Sequence, residues 1–150
     1  MMYAKVDPVT HDEQVGPGNG IVDIFNTDGT LMKRFVSRGQ LNAPWGAALA
    51  PDGFFKGDEE GDDEGDDEDK HGDLHNVVLI GNFGDGRINA FNSKGDFVGQ
   101  LRTHGKPIKI EGLWGISFAP ITATTIDPNW LFFAAGPDGE EHGLFGYIKK

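Results

Sequence analysis

The chain has 150 residues, no Cys, 23 Gly, 8 Pro and a formal net charge of -11. That length suits one ordinary domain. The missing Cys excludes disulfides, thiolate zinc sites and Cys nucleophiles, and the acidic balance argues against nucleic acid or an anionic membrane as partner, since both need a basic face.

The acidity is local. Residues Asp58 to Asp73 hold eleven acids and one Lys, so the rest of the chain is nearly neutral. No apolar run reaches the roughly 20 residues of a membrane-spanning helix, so no transmembrane segment is expected. No n-region and h-region of a signal peptide opens the sequence.

Taken in order, Met2 to Val6 reads as a short strand, followed by a loop of turn formers from Asp7 to Gly20. Ile21 to Asn26 alternates as a strand does. Thr27-Asp28-Gly29 supplies a turn, and Leu31 to Val36 returns. Trp45 to Ala50 (WGAALA) is small and continuously apolar, which predicts a strand buried on both faces.

The segment 57–73 carries GDEE, GDDE and GDDE in tandem. It is too polar and self-repelling to offset chain entropy, so a disordered insertion in a turn is expected. It lacks the ligand register of an EF-hand. Val77 to Phe83, Arg87 to Asn92 and Phe97 to Arg102 then read as three strands joined by tight turns. Thr103 to Gly112 is a predicted loop and Leu113 to Ala119 (LWGISFA) a second buried strand. Trp130 to Ala135 and Leu144 to Ile148 complete ten strands.

Two stretches share a skeleton. Gly18 to Pro51 and Gly84 to Pro120 both run G-x-G, a strand ending Phe-Asn, a Gly turn, a strand, a loop, then Trp-Gly leading to Ala-Pro. With the Trp-Gly strand as a, the order is b-c-d, a-b-c-d, a-b-c. A four-stranded antiparallel unit in series is a propeller blade. The expected fold is therefore all-β, a partial β-propeller of about two and a half blades in one domain. Small residues of strand a, such as Gly46, Ala47 and Gly115, suit the crowded axis. Trp45 and Trp114 are expected to pack between blades, and Phe25 and Phe91 to lie in the core. Closed propellers have about 4–8 blades, so the chain reads as a fragment of a longer propeller or as a unit that self-associates to complete one.

The stretches YAKVDP, GPGNGIVDIFNTDGTLMKRFVSRGQLNAPWGAALAP, GNFGDGRINAFN, GLWGISFAP and FFAAGPDGEEHGLFGYI resemble a family of uncharacterised bacterial proteins with NHL-like β-propellers, some with a PEP-CTERM sorting signal. The resemblance implies an extracytoplasmic propeller of about twice this length, without an established activity. The chain departs from that pattern in lacking the family's front half, in showing no export signal and in carrying the polyacidic insertion.

In such a fold the d–a and b–c loops share one face. The d–a loops bring Asn42 and Glu111; the b–c loops add His11, Asp12, Asn19, Asn82, Asp85, Asp138, Glu141 and His142. Oxygen and imidazole groups of this kind suit a hard cation such as Ca²⁺ or a polar ligand. Asn42, Asn82, Asp85, Glu111, Asp138 and His142 are the ligand-binding candidates, with Asn82, Asp85 and Glu111 the metal candidates. The competing use is local, because Asn and Asp beside Gly bond their own backbone in turns. No H-x-H, H-E-x-x-H or G-x-S-x-G motif is present. The expected function is a non-catalytic binding scaffold for a polar ligand or protein. The alternative is a Ca²⁺-dependent hydrolase or lactonase using Asn42, Asn82, Asp85 and Glu111.

Overall fold

A computed structural model describes residues 1–55 and 74–149. The polyacidic segment, expected to be a disordered insertion, lies outside the described residues. Among those described, every regular element is a strand and every strand pair is antiparallel.

The first sheet contains β1 (Met2–Ala4), β2 (Gly20–Phe25) and β3 (Leu31–Ser37), in that order. The middle sheet contains β4 (Pro44–Leu49), β5 (Val78–Asn82), β6 (Ile88–Phe91) and β7 (Phe97–Gln100). A two-stranded ribbon follows, β8 (Arg102–Thr103) with β9 (Lys106–Pro107). The third sheet is β10 (Leu113–Phe118), β11 (Leu131–Ala135) and β12 (Leu144–Ile148).

The middle sheet is a shared wall between two cores. Period-two alternation sends Leu79, Ile88 and Ala90 to one side, where they pack with Leu113, Ile116, Leu131 and Ala135 of the third sheet. It sends Ile80 and Phe91 to the other side, against Val22, Phe35 and Leu41. Both β5 and β6 are therefore buried on both faces.

The ribbon was not expected, since Arg102 reads as the end of the preceding strand and Thr103 to Gly112 as loop. Its two-residue turn is His104–Gly105, with φ of 50° and 73°. Positive φ at both central positions gives a turn whose twist matches the hairpin. The sequence cue was only a His-Gly pair between short polar runs.

Three packing expectations are corrected. β4 is not buried on both faces: Trp45 is 41 % and Leu49 61 % exposed. β1 approaches β4 across a hollow lined by Met2, Tyr3, Ala4, Pro44 and Trp45, and Trp45, Ala47 and Leu49 stay exposed. Trp114 serves its own sheet, and Trp45, although it lines a hollow with β1, makes its ring contact within its own sheet. Trp45 stacks on Phe83 of the β5–β6 turn at 5.5 Å, and Trp114 covers Gly136 at the end of β11 and donates Nε1–H to Glu140 at 2.8 Å. Phe91 is buried, but its repeat partner Phe25 is only half-buried, because it faces outward from the first sheet.

The G-x-G of the repeat has a steric reason. Its second Gly is where a β-turn of one sheet touches the segment entering the next. A Cβ on Gly86 (φ 70°) would lie 2.2 Å from the Ile110 carbonyl oxygen, and one on Gly20 would lie 2.4 Å from Pro44 Cδ. Gly29 also has positive φ, at 87°, but faces open space. Gly29→Ala should therefore cost only the left-handed backbone penalty of roughly 1–2 kcal/mol. Gly86→Ala should cost distinctly more, read as a lower urea midpoint at unchanged slope. Equal losses would show that the Ile110 contact is unimportant.

Candidate functional site

The turns β1–β2, β5–β6 and β11–β12 and the segments leading into β4 and β10 share one end of the stack. Backbone bonds tie them together. Phe83 N–H donates to Ala43 and Gly136 N–H to Gly112, each at repeat-equivalent positions. Ala43 and Gly112 both have positive φ, 47° and 62°, so the repeat extends to the conformation of the residue before each Trp-Gly strand.

The candidate residues fall into two groups. Asn42 and Asn82 form the first, both buried. Asn42 N–H donates to Asn82 Oδ1 at 3.1 Å. Asn42 Oδ1 accepts from Gly16 N–H at 2.7 Å. Asn82 Nδ2 donates to the Gln40 carbonyl at 2.8 Å. Both amides thus hold the β3–β4 segment against the first and middle sheets. This is the partnered state expected of buried polar groups.

Glu111, Asp138 and His142 form the second group, all exposed at the third sheet. Glu111 Oε1 accepts from Asp138 N–H at 3.3 Å, and His142 Nε2 lies 3.8 Å from Asp138 Oδ2. Asp85 stands apart, its Oδ1 accepting from Arg87 N–H at 3.2 Å within its own turn. Asn19 bridges to the β3–β4 segment, its carbonyl accepting from Ala43 N–H at 2.8 Å. His11, Asp12 and Glu141 are exposed loop residues. Among the described residues, no three His, Asp or Glu side chains converge as a metal ion requires.

Sequence reasoning missed the remaining amides of the first group. Asn89 Nδ2 donates to the same Gln40 carbonyl at 3.0 Å, and Gln100 Nε2 donates to Asn89 Oδ1 at 2.8 Å. The signal was present: Asn89 shares with Asn82 and Gln100 the face of the middle sheet that carries Ile80 and Phe91. In the first sheet the repeat-equivalent pair is Asp23 with Arg34, joined by a close carboxylate–Nε contact.

At the β1–β2 loop, Asp7 caps a turn, accepting from Val9 N–H at 2.8 Å, Thr10 N–H at 3.1 Å and Gln14 Nε2 at 3.0 Å. The Val9 N–H above all, then Gln14 and Thr10, hold its carboxyl below the ordinary value.

No protein-family model matches the chain, and no solved structure matches it. Its sequence is similar to uncharacterised proteins of Acanthamoeba polyphaga mimivirus. One is 40 % identical over 154 residues, covering 100 % of this chain and 32 % of the relative. A second is 36 % identical over 154 residues, covering 100 % of this chain and 35 % of the relative. A third is 30 % identical over 126 residues, covering 83 % of this chain and 21 % of the relative. The chain spans about a third of the length of the first two. These viral relatives overturn the resemblance to a bacterial NHL-like family. The motifs behind that resemblance were G-x-G turns and Trp-Gly strands, which report turn and packing geometry rather than lineage. The expectation of export rested on the same resemblance and loses that support.

Two predictions test this geometry. Asn82→Ala leaves the Asn42 N–H without its partner, so it should cost about 1–3 kcal/mol, measured by chemical denaturation. A neutral result would mean that water replaces the amide freely. A carboxyl held low stabilises the fold above its unfolded-state pKa and loses that stabilisation as pH falls through its folded value. Asp7 should therefore titrate below the ordinary carboxyl value by NMR, and Gln14→Ala should move it upward.

Proposed function

We propose that the three stacked sheets are consecutive blades of a β-propeller, and that the chain is a non-catalytic binding scaffold. Its recognition surface is the loop end, offered to a polar ligand or a protein. The observation that carries this reading is the approach of β4 to β10. A Cβ on Gly46 would lie 2.9 Å from Ile116 N and 3.2 Å from Gly115 Cα. The first strands of two sheets thus touch backbone to backbone, whereas Leu79 and Ile88 separate their later strands from β11 by whole side chains. Sheets that meet at one edge and diverge at the other form a fan, as blades do around an axis.

The scaffold half of the reading rests on the buried amides. Asn42 and Asn82 are occupied in joining sheets, and among the described residues the buried polar side chains are Asp23 and four Asn, so the exposed Glu111, Asp138 and His142 are not backed by a buried nucleophile or base. The loop end supplies varied polar groups on a rigid frame, the usual arrangement of a binding surface.

Two measurements test the two halves. NOE cross-peaks between the Gly46 α protons and the Ile116 amide are expected; their absence removes the fan. Calorimetric titration with Ca²⁺ should give no saturable binding, and the chain should not hydrolyse lactones. Saturable binding that Glu111→Ala abolishes would replace the scaffold by a metal-dependent hydrolase.

A further inference from the structure

The third sheet presents an aromatic face to solvent. Trp130 stacks on Tyr147 at 4.4 Å and 6°, and Phe132 on Phe145 at 5.7 Å and 12°. Phe145 is 73 % and Tyr147 47 % exposed. Such an ordered apolar face is unusual unless something covers it.

The strand registers show what kind of surface fits there. The rung Ser117–Phe132–Tyr147 in the third sheet corresponds to Ala48–Leu79–Ala90 in the middle sheet, and Ala134–Phe145 corresponds to Gly81–Ile88. Leu79, Ile88 and Ala90 are all 0 % exposed, because the third sheet lies on them. The aromatic face is therefore the repeat equivalent of a surface that this same chain buries under a sheet.

The first sheet supplies the complementary open face. Met1 is 68 %, Tyr3 40 % and Leu31 53 % exposed on its outer side, beside half-buried Phe25. At the loop end of that face, Tyr3, Lys5 and Arg38 line a hollow of about 430 Å³ together with Arg34, whose charge Asp23 already engages. At the same end of the third sheet, the β11–β12 turn carries Asp138, Glu140 and Glu141, all exposed. The apolar areas and the charges match in placement and in sign.

We propose that the aromatic face of β10–β11–β12 docks on the outer face of β1–β2–β3 in a second copy of the chain, and reciprocally, closing a two-fold ring. This rests on the propeller reading. Two copies supply six sheets, within the range of about 4–8 at which such rings close, and two equivalent seams satisfy both open faces without forming a filament.

Sedimentation velocity of the full chain at micromolar concentration should give a dimer. Phe145→Asp and Tyr3→Asp should each give a folded monomer, with circular dichroism and thermal melting showing that the fold survives; Phe145→Ser is the gentler form of the first. An equimolar mixture of Phe145→Asp and Tyr3→Asp should recover a dimer, because it restores one intact seam. A dimeric Tyr3→Asp would mean that aromatic faces pair with each other, and it would overturn the proposal, as would a monomeric mixture. A monomeric native chain overturns it too. If the Gly46–Ile116 cross-peaks are present in that monomer, the propeller reading survives; if they are absent, it falls as well.

Discussion

Strands β5 and β6 have no solvent face, and the rest of the molecule answers that constraint. Leu79, Ile80, Ile88 and Phe91 are 0–2 % exposed and point alternately to opposite sides. Burying each such side chain contributes roughly 1.5–3 kcal/mol, but only if both sides are covered. A single sheet cannot do this. The first sheet covers one side through Val22 and Phe35, and the third covers the other through Leu113, Ile116 and Leu131. The turns at the loop end then have to fit between neighbours, which is why they use Gly where they meet Ile110 and Pro44.

This two-sided burial also explains what could be read beforehand. The apolar run of Val77 to Phe83 and the alternation of Ile21 to Asn26, with Gly turns between runs, mark the strands and their antiparallel order. The Trp-Gly segments mark the start of the middle and third sheets. Exposure was not legible, because it depends on which neighbour is present. WGAALA is apolar enough to be buried twice, yet Trp45 and Leu49 stay exposed. Phe25 and Phe91 occupy the same repeat position, but only Phe91 has a sheet over it. A repeated sequence defines a position within its own sheet and leaves the identity of the cover unstated.

The candidate site shows the same division. The sequence identifies Asn42 and Asn82 as polar groups on adjoining loops, and the fold does bring them together. Their use could not be read from side-chain type, because an Asn suited to a cation is equally suited to backbone amides and carbonyls. Its partners, Gly16 N–H and the Gln40 carbonyl, are backbone groups without a signature in the sequence. Glu111 and Asp138 meet through one backbone N–H, whereas Asp85 remains in its own turn.

The buried amide cluster has a consequence for folding as distinct from stability. Sheets built from similar repeats can exchange places or slip in register as they form. The Gln40 carbonyl accepts from both Asn82 and Asn89. At the equivalent rungs of the third sheet stand Ala135 and Gly146. The third sheet therefore cannot substitute for the middle sheet at this seam without leaving the carbonyl unpartnered. A one-residue slip of β6 would likewise turn Asn89 to the opposite face. The amides act as a lock that accepts one sheet in one register, giving a repetitive chain a means of telling its repeats apart.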